Sequence, residues 1–215
     1  MNILAAIFDL DGTIIESELA WGKAFVTILA TFGVKAETIH PETSGMSVKD
    51  NWKNLISKYN IKTAKTSEEI EVLTYLEYQK YIPEINLREG ATELIMNLKD
   101  SGVEIALATS TNWEIAEKVL KSLNIETLFD SITTGEEVIR AKPDPAIFIK
   151  AAEKLNLEPD MCLVFEDSLS GVKAAREAEM KVVAIDETGE NAELDEANLV
   201  VGSFSEVTPK VIAEL

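Results

Sequence analysis

The sequence is poor in the side chains that proteins use for cross-links and for soft metal sites. It has one cysteine, Cys162, and one histidine, His40, among 215 residues. A single cysteine excludes a disulfide within the chain, and two such residues are too few for a zinc site built from cysteine and histidine. We interpret Cys162 as a core residue and His40 as a loop residue, and we expect a reducing, cytoplasmic location.

Positive charge is scarce as well, because 20 lysines and arginines face 38 acidic residues and leave a formal net charge of −18. A field of this sign repels nucleic acid and anionic membranes, so we expect neither as a partner. No apolar run approaches the roughly 18 residues of a membrane span, and the N-terminal residues show no secretory signal. We expect a soluble monomer, in which any anionic substrate needs a metal ion and a few placed lysines to reverse the local sign.

Short apolar runs that alternate with helical patterns indicate the fold class. Buried strands are predicted at residues 3–9, 103–109, 131–135, 161–166 and 181–185, with a weaker one at 198–201. Continuous apolar strands alternating with amphipathic helices are typical of a parallel sheet that is covered on both faces. The sequence therefore predicts a doubly wound α/β domain.

The chain between the first two strands is much longer than one crossover helix requires. Besides a crossover helix at 91–100, it contains three helical patterns, one starting at Ser17 and the others at 47–59 and 67–81. We predict a helical cap domain at 16–83, inserted into a core domain of 1–15 and 84–215, with hinges near 14–17 and 83–88. Ligands of open α/β sheets bind beyond the carboxyl ends of the strands, so the insertion is expected to cover the pocket.

Polar side chains gather at the carboxyl ends of these predicted strands. They are Asp9, Asp11, Thr109, Ser110, Lys142, Glu166 and Asp167. Crowded carboxylates repel one another unless a cation lies between them, and ligands that are all oxygen favour magnesium. A lysine and a metal ion can hold a phosphoryl group, an aspartate can attack it, and a second carboxylate can move the proton. The set predicts phosphoryl-transfer chemistry.

Four segments carry a resemblance to a known family. DLDGT at 9–13, ATST at 108–111, KPDPAIF at 142–148 and FEDSLSGVKAA at 165–175 resemble the four motifs of the haloacid dehalogenase superfamily. More narrowly, they are similar to its phosphatase and β-phosphoglucomutase-like branch, which has a helical cap. The resemblance spans most of the chain, and four motifs in order, each at a strand end, are specific.

The resemblance implies a role for each of these residues. Asp9 would be the nucleophile, Asp11 the general acid and base, and Thr109 and Lys142 would bind the phosphoryl group. The implied magnesium ligands are Asp9, Asp11 through its carbonyl, Asp167 and, in a secondary position, Glu166. The implied activity is hydrolysis of a small phosphate monoester through an aspartyl-phosphate.

Two assignments stay open from the residues alone. Either Thr109 or Ser110 could face the phosphoryl group, and the other hydroxyl would cap the following helix. We favour Thr109 and keep Ser110 as a substrate-binding residue. Glu166 could be a salt-bridge partner rather than a metal ligand.

The class of reaction follows from Asp11 and from the cap. A carboxylate at Asp11 can protonate an alkoxide, which favours phosphate-ester chemistry over the dehalogenase reaction. Sugar mutases of the similar branch usually have a histidine where this chain has Trp21 and an arginine where it has Val48. We predict a hydrolase with Trp21 and Lys49 as substrate-binding residues. The alternatives are a phosphosugar mutase with Lys49 or Lys53 as clamp and, more remotely, a non-enzymatic phospho-acceptor domain.

Overall fold

A computed structural model describes residues 3–37, 45–189 and 191–215 of the chain, so His40 lies outside the described residues. The strands are β1 (Ala5–Phe8), β2 (Ile15–Glu16), β3 (Asn86–Leu87), β4 (Glu104–Thr109), β5 (Ser131–Thr134), β6 (Cys162–Glu166), β7 (Lys181–Ile185) and β8 (Leu199–Val201). The α-helices are α1 (Glu18–Thr31), α2 (Val48–Lys58), α3 (Ser67–Tyr78), α4 (Ala91–Asp100), α5 (Trp113–Leu123), α6 (Ala146–Leu155), α7 (Leu169–Glu177) and α8 (Pro209–Glu214).

One six-stranded sheet, in the order β5-β4-β1-β6-β7-β8, forms the body of the molecule. All of its neighbouring strands pair in parallel. The chain runs from β1 outward to β5 and then returns to β6 on the other side of β1. The order therefore reverses beside β1 and β6, which is where open α/β sheets bind their ligands. The predicted doubly wound parallel sheet is confirmed.

The sheet buries both faces, because successive side chains of each strand point to opposite sides. Ala6 and Phe8 of β1 belong to one apolar cluster, which includes the buried faces of α4 and α5. Ala5 and Ile7 belong to a second cluster, with the buried faces of α6 and α7. Helices on both faces keep the strands rigid, so side chains at the strand ends have fixed positions.

Helices α1, α2 and α3 pack against one another around Trp52, which is fully buried. Its ring contacts Phe25 and Phe32 of the first helical segment, and its Nε1 donates a hydrogen bond of 2.7 Å to Thr74 Oγ1. Local signals start two of these helices. The Ser47 side chain accepts from the amide of residue 50, and a complete capping box opens α3 at Thr66.

The two connections between these helices and the sheet lie side by side. Strands β2 and β3 pair antiparallel, with Ile15 opposite Leu87. The Arg88 amide extends the contact by donating to the Ile14 carbonyl at 2.8 Å. The predicted hinge segments thus form one short ribbon. We propose this ribbon as the junction between the core and the helical unit 16–83.

Among the described residues, no helix combines the length and the apolar character that crossing a membrane would need.

Candidate active site

A buried lysine joins two carboxylates at the carboxyl edge of the sheet. Lys142 Nζ donates to Asp9 Oδ1 at 2.6 Å and also to Glu166 Oε1, and it lies 3.4 Å from the Ala108 carbonyl oxygen. Lys142 is 2% exposed and Asp9 is 3% exposed. An ammonium group is stable at this depth only because both carboxylates compensate its charge. The loop before α6 therefore places its lysine directly on the carboxylate that follows β1.

Glu166 has protein partners on both of its carboxylate oxygens. While Oε1 accepts from Lys142, Oε2 accepts from the Asp167 amide at 3.0 Å and from the amide and hydroxyl of Ser168 at 3.1 and 2.9 Å. A Cβ on Gly171 would lie 1.9 Å from the Glu166 carboxyl group, so only glycine fits there. Of the two roles that the sequence left open for Glu166, this bonding favours the salt-bridge role.

Three carboxylates nevertheless lie close enough to share one cation. Asp9, Glu166 and Asp167 each offer an oxygen, and these atoms lie within 4.8 Å of one another. Burial raises the pKa of Asp9 well above its ordinary value, the charges of Glu166 and Asp167 add to this, and Lys142 opposes it. Burial, followed by the charge of Glu166, raises the pKa of Asp167 to about 7. The raised pKa values show that the protein alone stabilises these carboxylates poorly as anions. A hard divalent cation such as magnesium, which prefers oxygen ligands, would stabilise them.

The loop after β1 is fitted tightly against Asp167. Thr13 Oγ1 donates to Asp167 Oδ1 at 2.9 Å. Gly12 has a φ of +84°, and a Cβ there would lie 2.2 Å from Asp167 Oδ2. A side chain at position 12 would thus collide with this carboxylate, which explains the glycine in the first motif.

Asp11 lies where the helical insertion meets the sheet. Its Oδ1 accepts from Ser17 Oγ and Trp21 Nε1, both at 2.8 Å, and from Tyr78 OH at 3.4 Å. Its Oδ2 accepts from Thr111 Oγ1 at 2.7 Å. Trp21 and Tyr78 belong to α1 and α3, and their rings stack with centroids 3.6 Å apart. Donors from the helical insertion and from the loop after β4 therefore fix this carboxylate at the cavity described next.

A cavity of about 60 Å³ lies between the carboxylates at the strand ends and the helical insertion. The residues around it include Asp9, Asp11, Thr109 and Ser110 on the sheet side and Trp21, Phe25 and Val48 on the helical side. Among the described residues that line it there is no lysine or arginine. The helical side is mixed, because Glu18 and Asn51 line the cavity as well as the apolar side chains.

A larger groove of about 650 Å³ adjoins this cavity and shares Ser110 and Met46 with it. Lysines line the groove, but they are paired, because Lys49 lies 2.7 Å from Glu68 and Lys53 lies 2.6 Å from Asp50. Lys49 is therefore placed at the groove and not in the small cavity.

The hydroxyls after β4 differ from the sequence prediction in one respect. Thr109 is buried, and its Oγ1 accepts from the Thr111 amide at 3.1 Å. Ser110 Oγ donates to the Gly45 carbonyl at 2.8 Å. Neither hydroxyl caps α5, because that helix starts at residue 113 and its N-cap is Asn112, whose side chain accepts from the amide of residue 115. The prediction that the second hydroxyl would cap the helix is wrong, since Ser110 lies two residues too early.

The family follows from comparison with known proteins. A family model described as haloacid dehalogenase-like hydrolase matches residues 6–185. The chain belongs to this family.

Individual relatives and solved structures match four fifths of the chain or more. Hexitol phosphatase B of Escherichia coli (strain K12) is 29% identical over 214 residues, which are 97% of this chain and 96% of that protein. A phosphorylated carbohydrates phosphatase of Thermotoga maritima is 32% identical over 177 residues, 81% of each protein. The crystal structure of β-phosphoglucomutase from Clostridium difficile has a TM-score of 0.89 at 28% identity and covers 99% of this chain and 96% of that one.

Three residues that contact the site of this haloacid dehalogenase-like chain lie outside the residues predicted from the motifs. Thr111, which donates to Asp11, is the last residue of the hydroxyl-rich ATST run, and that run was the signal available for it. Tyr78 is 67 residues from Asp11 and has no local signal. Arg88, which contacts the Gly12 carbonyl, reads as an ordinary polar residue of a linker.

Proposed function

We propose that this protein is a magnesium-dependent phosphatase that hydrolyses small phosphate monoesters through an aspartyl-phosphate on Asp9. The observation that carries the proposal is the placement of Asp9, whose Oδ1 is 2.6 Å from Lys142 Nζ and whose neighbours Glu166 and Asp167 complete a cluster of carboxylates. The names of the two phosphatase relatives support hydrolysis of phosphate esters.

In the first step, Asp9 attacks phosphorus and the bond between phosphorus and the ester oxygen breaks. Asp11 gives its proton to the leaving alkoxide. Lys142 and the hydroxyl of Thr109 hold oxygens of the transferred group and offset its charge. Asp9, Asp167 and the Asp11 carbonyl would hold magnesium, which would supply positive charge to the phosphoryl oxygens.

In the second step, water attacks phosphorus and gives its proton to Asp11. The bond between phosphorus and Asp9 breaks, inorganic phosphate leaves, and both carboxyl groups return to their starting protonation states. The contacts of Asp11 with Ser17, Trp21 and Thr111 keep it beside the cavity for both transfers. Helices α1 and α2 contribute part of the wall of this cavity, which would limit the access of bulk solvent to the reaction.

Charge favours hydrolysis over the mutase reaction. A mutase must hold a bisphosphate and turn it over, which requires cations opposite the catalytic carboxylates. Among the described residues, Lys49, Lys53 and Arg140 line the adjoining groove rather than the small cavity, and each is paired with an acidic side chain. We infer that the part of the substrate beyond the phosphoryl group is uncharged, as in a phosphorylated sugar or polyol.

A panel of phosphate esters tests the proposal. Phosphate release is measured on hexitol phosphates, sugar monophosphates and sugar bisphosphates, with magnesium and with EDTA. We expect magnesium-dependent release from monophosphates and a loss of several orders of magnitude in Asp9→Asn. Conversion of a sugar 1-phosphate to the 6-phosphate without net release would establish the mutase instead. EDTA-resistant turnover, or an active Asp9→Asn variant, would contradict the mechanism.

A further inference from the structure

Arg88 connects parts of the molecule that are far apart in sequence. Its Nη2 donates to the Gly12 carbonyl at 2.8 Å and to Glu18 Oε1 at 3.1 Å. Its Nη1 is paired with Glu187 Oε2 at 2.5 Å. One guanidinium thus contacts the loop after β1, the first residue of α1 and the segment that follows β7. Arg88 itself directly follows β3, in the ribbon that joins the helices to the sheet.

The Arg88 side chain is buried, although its two acidic partners are partly exposed. The Arg88 side chain is 9% exposed, whereas Glu18 and Glu187 are about half exposed, at 43% and 47%. Arg88 Nε is buried and has no hydrogen-bond partner among the described residues. A buried N–H without a partner is unfavourable, so the side chain is not placed to satisfy all of its own donors. Its position instead directs Nη2 at the Gly12 carbonyl.

The position of the Gly12 carbonyl affects the position of Asp11. Gly12 directly follows Asp11, and its Cα lies against Asp167 so closely that no side chain fits. Asp167 and Thr13 hold one side of this loop through their hydrogen bond, and Arg88 holds the loop by its carbonyl. A shift at Gly12 therefore displaces Asp11, its neighbour in the chain.

The same guanidinium also fixes the start of α1. Glu18 begins that helix, and Trp21, one turn later, donates its Nε1 to Asp11. Asp11 is thus influenced by Arg88 along two routes, through Gly12 in its own loop and through Glu18 and Trp21 in the cap helix.

We propose that Arg88 is a positioning residue for Asp11, because its guanidinium fixes the Gly12 carbonyl and Glu18 in one arrangement. The activity part of this inference rests on the proposed phosphatase function, in which Asp11 protonates the leaving group. Loss of Arg88 should therefore impair reactions in proportion to their need for that proton.

The leaving group provides a readout that a purely structural role would not change. For Arg88→Met we expect kcat/KM to fall about 10- to 100-fold on an alkyl phosphate, because small displacements of a catalytic group cost up to about 10²-fold. On p-nitrophenyl phosphate, which needs little protonation, we expect a fall of at most about threefold. The control is Lys23→Met, which removes the exposed ion pair between α1 and Glu84 and should change neither value. An equal loss on both esters, or no loss, overturns the proposal.

Hydrogen exchange tests the same proposal without turnover. In Arg88→Met, the amides of residues 10–21 should exchange faster than in the wild type, while the amides of β4 and β6 should exchange at the wild-type rate. In Lys23→Met, all of these amides should exchange at the wild-type rate. If Arg88→Met does not fold, Arg88→Lys replaces it, since a single ammonium cannot reach both Gly12 and Glu187 with the geometry of a fork. If the wild type hydrolyses neither ester, the proposed function fails and the exchange alone decides. Unchanged exchange at 10–21 contradicts the role of Arg88.

Discussion

Replacing Lys142 by methionine should damage the fold and the chemistry together. Methionine has a similar length and is apolar, so the change removes a charge with little change in volume. Asp9 and Glu166 would then face each other at the base of the site without their shared cation. Both are buried, so water compensates them poorly.

The size of the effect follows from the burial of the three groups. Removing one partner of a buried ion pair costs about 3–5 kcal/mol, because the other charge stays buried. Lys142 serves two carboxylates, so we expect the upper half of this range. For a chain of this size Tm falls by about 2–4 °C for each kcal/mol, which predicts a drop of about 8–20 °C. Lys142 also lowers the pKa of Asp9. Without Lys142 this pKa should rise, and a smaller fraction of Asp9 would be ionised and able to attack phosphorus.

Thermal denaturation and kinetics of three proteins test this reasoning: the wild type, Lys142→Met, and the double variant Lys142→Met with Glu166→Gln. The double variant removes one of the orphaned charges and should recover a large part of the lost Tm. It should not recover activity, which we expect to stay at least about 10²-fold below the wild type because a charged group that stabilises the transferred phosphoryl is gone. A Lys142→Met variant with wild-type Tm and more than about a tenth of the activity would refute the account.

Three further predictions concern other parts of the site. Asp11→Asn should lower kcat/KM by about 10²–10⁴ on alkyl phosphates and much less on p-nitrophenyl phosphate, and an equal loss on both would exclude Asp11 as the acid. Gly171→Ala should lower stability by about 1–3 kcal/mol in denaturant titrations, because its Cβ would lie 1.9 Å from the Glu166 carboxyl group; a neutral variant would contradict the packing. The pKa values of Asp9 and Asp167 are raised in the folded state, that of Asp167 to about 7. The folded protein therefore binds more protons than the unfolded chain, so its free energy of unfolding in EDTA should fall as pH rises from 5 to 7. Asp167→Asn should reduce this slope of Tm against pH, and an unchanged slope would argue against the assignment.

Much of the fold could be predicted because the strands are buried on both faces. The run predicted as a strand at 103–109 is β4, Glu104–Thr109, and the weak signal at 198–201 is β8, Leu199–Val201. The ribbon of β2 and β3 was not predicted as strands, since each strand contributes only two residues. Two residues are too few for an alternating pattern, and the partner lies some 70 positions away along the chain.

Some residues of the site could likewise be predicted from the local sequence, whereas others depend on contacts between distant parts of the chain. Asp9, Lys142 and Glu166 could be brought together from sequence because parallel strands end at one edge of the sheet. The surroundings of Asp11 could not, because Tyr78 and Thr111 reach it from positions that depend on how the helices settle on the sheet. Arg88 is a similar case, in which a linker residue gains its role only through tertiary contacts.

Trapping the covalent intermediate would identify the residue that attacks phosphorus. The protein is mixed briefly with magnesium and a phosphate ester, quenched in acid, digested and analysed by mass spectrometry. We expect one added phosphoryl group on the peptide that contains Asp9, and we expect neither the adduct nor turnover in Asp9→Asn. Steady turnover with no phosphorylated peptide, or a phosphoryl group on another residue, would contradict it.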